Sequence, residues 1–206
     1  MIVHQIFGLL GDTEMPELFK KSQIKVKKWC KSNKYTYKLW NEKTCENMMK
    51  KYPQYKKMYD NVRYKIMKVD IVRFVILYDR GGIYLDLDIV PKLKSLKNYD
   101  LAFAAREDFI EMEVIQSKKK EKFLLEYLDY VKIQIEEKSK KKIYKIWKLR
   151  YVYQTTGPLS LTRFLKTHKD IEYGIYTMNA VKYGKMNIKG NEDFLSYPSL
   201  SYANKM

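Results

Sequence analysis

Residues 70–88 constrain the fold more than any other stretch of the chain. Ile71, Val72, Phe74, Val75, Ile76 and Leu77 make a helical run that is apolar almost all round, and such a helix has to be buried. Gly81-Gly82 ends it by supplying left-handed backbone at its C-terminus. Ile83-Tyr84-Leu85 then reads as a short central strand covered on both faces. A buried helix feeding a buried strand points to an α/β fold with a mostly parallel sheet flanked by helices. Asp86 and Asp88 fall at the strand's carboxyl end, the edge where open α/β sheets bind ligands.

The flanking sequence repeats this alternation. Ile2 to Phe7 is a strand-like run ended by Gly8 and Gly11. Pro16 opens a helix in which Leu18, Phe19, Ser22, Val26 and Trp29 follow helical spacing as far as Lys31-Ser32-Asn33. Tyr35 to Trp40 reads as a second strand. Asn41 caps a helix through Met48 and Met49 to Lys51, which Pro53 interrupts. The stronger helix runs from about Val62 to Asp79. Further on, Leu101 to Ala105 and Ile171 to Met178 read as strands, and Lys122 to Glu136 and Pro158 to His168 as helices. With 206 residues and no linker or repeat, the expectation is a single domain over residues 1–206.

Charge and cysteine content narrow the partners. The net charge of +17 favours anions, while hydrophobic residues at 46% are too many for a disordered chain. Cys30 and Cys45 can build neither a disulfide framework nor a four-cysteine zinc site. The first residues have no basic region before an apolar stretch, and no run of 18 apolar residues occurs anywhere. The expectation is therefore a protein of the cytoplasm or the cytoplasmic face of a membrane. Its lysine, tyrosine, isoleucine and asparagine content suggests an AT-rich genome, such as that of a bacterium or a large DNA virus, with the host-cell cytoplasm as the setting in the viral case. Residues 117–150 carry twelve Lys or Arg against five acids, a net +7, and are read as a basic helical segment suited to peripheral contact with an anionic membrane or to nucleic acid. A solvated lysine-rich face explains the same pattern.

An Asp-x-Asp pair is cheap by chance, since eleven Asp in this chain give roughly 0.6 such pairs by composition. Its setting gives it value, because two carboxylates behind a buried strand are costly without a cation. Hard oxygen donors of this kind suit Mg²⁺ or Mn²⁺, with substrate phosphates completing the shell. In the preceding helix Asp70 and Arg73 share a face, and Arg63 is expected two turns earlier on the same side. Buried, the acid and base must pair with each other or with a polar ligand. His4 reads as a hydrogen-bonded structural histidine before a catalytic base, and His168 as a cation at a helix C-terminus.

These residues carry a resemblance. Asp70-Ile71-Val72-Arg73-Phe74, Leu77-Tyr78 and Gly81-Gly82-Ile83-Tyr84-Leu85-Asp86-Leu87-Asp88 resemble the donor-site signature of the DXD sugar-transferase family. That family, glycosyltransferase family 32, holds yeast-type initiating α-1,6-mannosyltransferases, sphingolipid mannosyltransferases and bacterial capsule glycosyltransferases, and its core is similar to that of clostridial glucosylating toxins. Ile2-Val3-His4-Gln5-Ile6-Phe7-Gly8, Tyr37-Lys38-Leu39-Trp40-Asn41-Glu42 and Thr156-Gly157-Pro158-Leu159-Ser160-Leu161-Thr162 resemble its other elements, in order, over residues 2–165.

The resemblance implies a Rossmann-like GT-A fold and a metal-dependent retaining glycosyltransferase. It implies a hexosyl or N-acetylhexosaminyl group moved from a nucleoside diphosphate sugar, a UDP-sugar before GDP-mannose, to a glycan or lipid-linked acceptor. Asp88 would ligate Mn²⁺ or Mg²⁺ directly. Asp86 would touch the donor's ribose or sugar and support the metal through water. Asp70 and Arg73 would contact sugar hydroxyls, while Phe7 stacks on the base and Ile6 backbone groups read its edge. Two departures stand out: the tail offers only Asn204 and hydroxyls for a further ligand, and Glu113-Val114-Ile115-Gln116 stands where an Asn and a Gly are usual. A basic nucleic-acid-binding protein accounts for the charge but not for Asp86 and Asp88, so nucleic acid ranks below a nucleotide sugar as partner. A non-catalytic nucleotide-sugar binder of the same fold is the other alternative.

Overall fold

β1 (Ile2–Ile6) is the strand from which the sheet is built, with Val3 to Ile6 buried. In the computed structural model, which describes residues 1–106, 109–140, 148–180 and 192–197, β1 pairs in parallel with β2 (Thr36–Trp40) on one side and β3 (Gly82–Leu85) on the other. α1 (Glu17–Ser32) crosses from β1 to β2, and α2 (Glu42–Lys50), α3 (Pro53–Asp60) and α4 (Lys65–Arg80) lead from β2 to β3. Beyond β3 come β4 (Ile89–Pro91), β5 (Leu101–Arg106), β6 (Phe109–Ser117), α5 (Phe123–Ser139), α6 (Lys148–Thr155), α7 (Pro158–Thr167), β7 (Gly174–Ala180) and β8 (Phe194–Ser196). The eight strands form one sheet in the order β2-β1-β3-β6-β5-β7-β8-β4. Its β1–β2, β1–β3, β5–β7 and β7–β8 pairings are parallel; β3–β6, β5–β6 and β4–β8 are antiparallel. The mixed, largely parallel sheet has helices on both faces, as the sequence implies.

Strand alternation assigns the faces. Val3, Ile83 and Leu85 pack with Val26 and Cys30 of α1. Ile6 and Tyr84 pack on the other face with Phe74 of α4 and Tyr127 of α5. Because Tyr84 points toward α4, so does Asp86 two residues on.

The glycine pair behaves as its sequence demands. Gly81 and Gly82 have φ of +64° and +108°, and a Cβ on Gly82 would lie 2.3 Å from the Ile2 carbonyl oxygen. Asn41 caps α2 in a reciprocal box, its Oδ1 accepting from the Thr44 amide at 2.9 Å while the Thr44 hydroxyl accepts from the Asn41 amide at 2.8 Å.

Several expectations need correction. Pro53 does not merely interrupt a helix; it opens α3 at its first turn, where a missing N–H costs nothing, and Tyr55 and Tyr59 bury its inner side. α4 consequently starts at Lys65 rather than near Val62. Arg63 is therefore not on the Asp70 face of that helix; its guanidinium sits over the rings of Tyr64 and Tyr151 at 5.4 and 5.6 Å. Residues 117–150 are not one basic helix either. Ser117 ends β6, and α5 carries four acids against two lysines, so the positive charge lies on its flanks. Lys141, Lys142 and Lys145 lie outside the described residues, as does Asn204.

Candidate active site

A cavity of about 620 Å³ opens beyond the carboxyl ends of β1 and β3. Ile6, Phe7, Asp70, Arg73, Asp86 and Asp88 all line it, so every site residue expected from the sequence reaches one hollow. They arrive by three routes. β1 delivers Ile6 and Phe7, α4 delivers Asp70 and Arg73, and a turn after β3 delivers Asp86 and Asp88. That turn is closed by the Ile89 amide donating to the Asp86 carbonyl at 3.1 Å.

Arg73 is the hub. Its guanidinium donates to Asp70 Oδ1 at 2.8 Å, to the Met112 carbonyl at 2.7 Å and to the Val69 carbonyl at 3.3 Å. It lies 4.7 Å over the Tyr84 ring and 3.5 Å from Asp86 Oδ1. A planar fork with five donors can hold all of these at once. Burial works against its charge, but Tyr84, Asp86, Asp70 and Glu113 outweigh burial and raise its pKa. Asp70 accepts a second bond from the Thr156 hydroxyl at 2.7 Å. Burial pushes the Asp70 carboxyl up to about 6, against the pull of Arg73 and Thr156. Asp70 is thus mainly ionised at neutral pH, with little margin.

Asp86 is held at both ends. Its Oδ1 accepts from the Tyr84 hydroxyl at 2.6 Å, and its carbonyl accepts from the Gln5 side chain at 3.1 Å. Gln5 is in turn fixed by the Tyr37 hydroxyl at 2.9 Å. Asp88 contributes its carbonyl to the Tyr197 amide at 2.9 Å and lines the cavity beside Asp86.

Sequence reasoning missed a second charged group. Between Phe103–Ile115 and Ala104–Glu111 the β5–β6 register slips, so residues 112–114 bulge away from β5, while Val114 keeps its pairing with Leu85 of β3. The bulge turns the Met112 carbonyl to Arg73 and the Glu113 carbonyl to the Asp86 amide, the latter at 2.8 Å. Bulges re-aim side chains in this way beside functional sites. Glu111, Glu113 and Arg106 then line the cavity, with Arg106 bonded to Glu113 and 3.8 Å from Glu111. Burial pushes the Glu113 carboxyl up to about 8; Arg106 opposes this, while Asp86, Asp88 and Glu111 add to it. The available signal was two glutamates two residues apart in the otherwise apolar stretch Phe109 to Ile115. Tyr84 and Thr156, which fix Asp86 and Asp70, were likewise read as strand and motif rather than as parts of the site.

His4 takes its structural role. It is fully buried, its Nε2 meets the Gly81 carbonyl at 2.9 Å, and its Nδ1 accepts from the Trp40 indole at 3.1 Å. His168 ends α7 with its Nδ1 2.9 Å from the Phe164 carbonyl, away from the cavity.

The donor set fits a hard divalent cation only in part. Asp86 and Asp88 supply carboxylate oxygens, but among the described residues no group of three or more His, Cys, Asp or Glu is placed to hold a metal. Beyond the described residues, further ligands would come from donor phosphates or water. Among the described residues no helix is long and apolar enough to cross a membrane.

Residues 16–110 match the family model described as glycosyltransferase sugar-binding region containing DXD motif. Inositol phosphoceramide mannosyltransferase 3 of Schizosaccharomyces pombe is 45% identical over 56 residues, 27% of this chain and 16% of that protein. A mannosyl phosphorylinositol ceramide synthase of Saccharomyces cerevisiae is 29% identical over 141 residues, 66% of this chain and 35% of that protein. An uncharacterized glycosyltransferase of Acanthamoeba polyphaga mimivirus is 32% identical over 102 residues, covering 48% and 38%. The chain thus spans less than two fifths of the length of these curated relatives. The structure of PaToxG glycosyltransferase superposes with a TM-score of 0.57 at 17% identity, over 82% of this chain and 68% of that one. The fold is of the GT-A type.

Proposed function

We infer that this chain, which carries the DXD sugar-binding region of glycosyltransferases over residues 16–110, is itself a metal-dependent retaining glycosyltransferase. Its donor would be a nucleoside diphosphate sugar, and its acceptor a glycan or a lipid-linked sugar. The observation that carries the reading is the convergence of Asp70, Arg73, Asp86 and Asp88 on one cavity. The Arg73 guanidinium ties Asp70 and Asp86 into a single network, so the three form a rigid, charged frame rather than a set of separate surface acids.

Each residue has a role in this reading. Asp88, which lines the cavity, would hold Mn²⁺ or Mg²⁺, and the ion when bound would neutralise the negative charge developing on the leaving diphosphate. Asp86, fixed by Tyr84 and Arg73, would hold the donor's ribose or sugar hydroxyls and would support a bound ion through water. Asp70 keeps lone pairs beyond its bonds to Arg73 and Thr156, and accepts from sugar hydroxyls. Phe7 offers a half-buried ring for the base, beside backbone groups of Ile6. The Arg106–Glu113 pair faces the same hollow and suits the acceptor's hydroxyls. Front-face transfer is the favoured route to retention, because no carboxylate is assigned as a nucleophile.

The relatives whose names refer to mannosyl groups, a mannosyltransferase and a mannosyl phosphorylinositol ceramide synthase, make mannose the first sugar to try, although UDP-sugars remain the broader expectation. The test is a panel of UDP- and GDP-sugars with Mn²⁺, scoring nucleoside diphosphate release against an Asp88→Ala variant and against chelator. Release that needs both the metal and Asp88 supports the reading and names the donor. Tight nucleotide-sugar binding without turnover would replace it with a non-catalytic binder.

A further inference from the structure

α1 presents an outward face unlike that of any other described helix. Lys20, Lys21, Lys25, Lys27, Lys28 and Lys31 stand against one acid, Glu17, an excess of five, where every other described helix has an excess of two or less. Phe19, Ser22, Val26 and Cys30 turn inward. Ile24 points the opposite way and is 65% exposed, the most exposed large aliphatic side chain among the described residues. Lys20, Lys21, Lys27 and Lys28 stand three and four residues from Ile24, so the aliphatic side chain sits inside a ring of ammonium groups.

The segment after β4 widens the surface. The Trp29 indole donates to the Leu93 and Lys94 carbonyls at 2.9 and 3.0 Å, and the Asn33 side chain donates to the Lys94 carbonyl at 2.8 Å. These bonds clamp the exposed Lys92 and Lys94 alongside α1. Within the α1 stripe Lys20 is paired with Glu14 at 3.2 Å.

We propose that the α1 face docks on an anionic lipid bilayer. Its lysines meet the headgroup charges, an attraction that falls off within a Debye length of about 8 Å at physiological salt. Ile24 enters the boundary between headgroups and acyl chains, as apolar residues of interfacial helices do. A polyanion such as RNA would use the lysines but gain nothing from a central aliphatic side chain, since base stacking needs an aromatic platform. The surface differs from residues 117–150, and the proposal stands apart from the transferase reading.

The test is flotation of the purified protein with vesicles of phosphatidylcholine alone or with added phosphatidylserine, at low and physiological salt. Binding is expected only with phosphatidylserine, weakened by salt. Reversing Lys21, Lys25 and Lys28 to Glu should weaken it at least about tenfold, and Ile24→Ser several-fold with charge unchanged. Reversing Lys50, Lys51 and Lys57, exposed residues of and beside α2 and α3, makes the same change in net charge and should matter far less. Unchanged melting temperatures establish that the variants fold, and Ile24→Ser with the salt series decides the matter if the triple variant does not. Equal binding to both vesicles, no binding at low salt, or equal loss in the two triple variants would overturn the proposal. So would tighter binding to an RNA duplex than to vesicles that is indifferent to Ile24→Ser.

Discussion

Thr156 donates its hydroxyl to Asp70 at 2.7 Å across 86 residues of chain, and this bond ties the loop before α7 to the buried acid of α4. Thr156→Val keeps the shape and removes the donor. It should cost about 1–3 kcal/mol, the usual loss when a buried carboxylate forfeits a hydrogen bond. It should also raise the Asp70 pKa beyond about 6, because a bond to the ionised form is lost. The acid limb of kcat/KM for donor turnover would then move to higher pH, and Thr156→Ser would restore it. A profile that stays in place in Thr156→Val would show that Asp70 is not the titrating group.

Arg73 cannot be replaced by Lys without breaking its network. An ammonium group reaches one or two of Asp70, Asp86 and the Met112 carbonyl, whereas the guanidinium holds all three. Arg73→Lys should destabilise the fold by about 3 kcal/mol, since partners are left buried and unmatched. Urea unfolding measures this. Combining Arg73→Met with Asp70→Asn should recover part of the loss seen in Arg73→Met alone, while donor turnover stays abolished.

Asp88→Asn separates chemistry from stability. Asp88 lines the cavity and is half-buried, and Asn keeps the size of the side chain while the backbone carbonyl still accepts from the Tyr197 amide. The melting temperature should therefore change little. Donor turnover should fall on the order of 100-fold or more, the rate equivalent of about 3 kcal/mol of lost charge stabilisation. Added Mn²⁺ should recover some activity in the variant if Asp88 acts through the metal.

The parts of the fold that were legible in the sequence are those set by local rules. Gly81-Gly82 and the apolar run of α4 placed helix, turn and strand, and the two-residue strand period put Tyr84 and Asp86 on one face. The parts that were not legible depend on pairing across the sheet. No local pattern marks the bulge at residues 112–114, because a bulge is defined by the register between β5 and β6. The cavity role of Glu111, Glu113 and Arg106 therefore emerged only from the structure. The short β4 and β8 strands escaped for the same reason, three residues being too few to show a period. Arg63 was misplaced because counting back along α4 assumed helix as far as Val62, whereas Arg63 lies in the connection between α3 and α4.

His4 gives the fold a specific weakness in acid. Burial lowers its pKa to about 4, with Arg80 and Lys38 adding to the effect and the Gly81 carbonyl opposing it. The unfolded chain, with an ordinary histidine pKa near 6.5, takes up the proton first as pH falls. The unfolded state then binds more protons than the folded one, so stability is complete above about pH 6.5 and is lost as pH falls toward 4. Full loss amounts to about 3 kcal/mol, or roughly 6–12 °C in Tm for a chain of this size. Asp70 acts in the opposite sense over part of that range, since its folded pKa is raised, so the wild-type curve alone mixes the two. His4→Gln can donate to the Gly81 carbonyl and accept from Trp40 without titrating. The difference in Tm between wild type and His4→Gln should therefore shift steadily in favour of the variant from pH 6.5 to pH 4 and be flat above pH 7. A difference that does not vary with pH would mean that His4 takes up its proton as readily in the folded protein as in the unfolded chain, so that its burial and the Trp40 bond to Nδ1 do not hold the ring neutral.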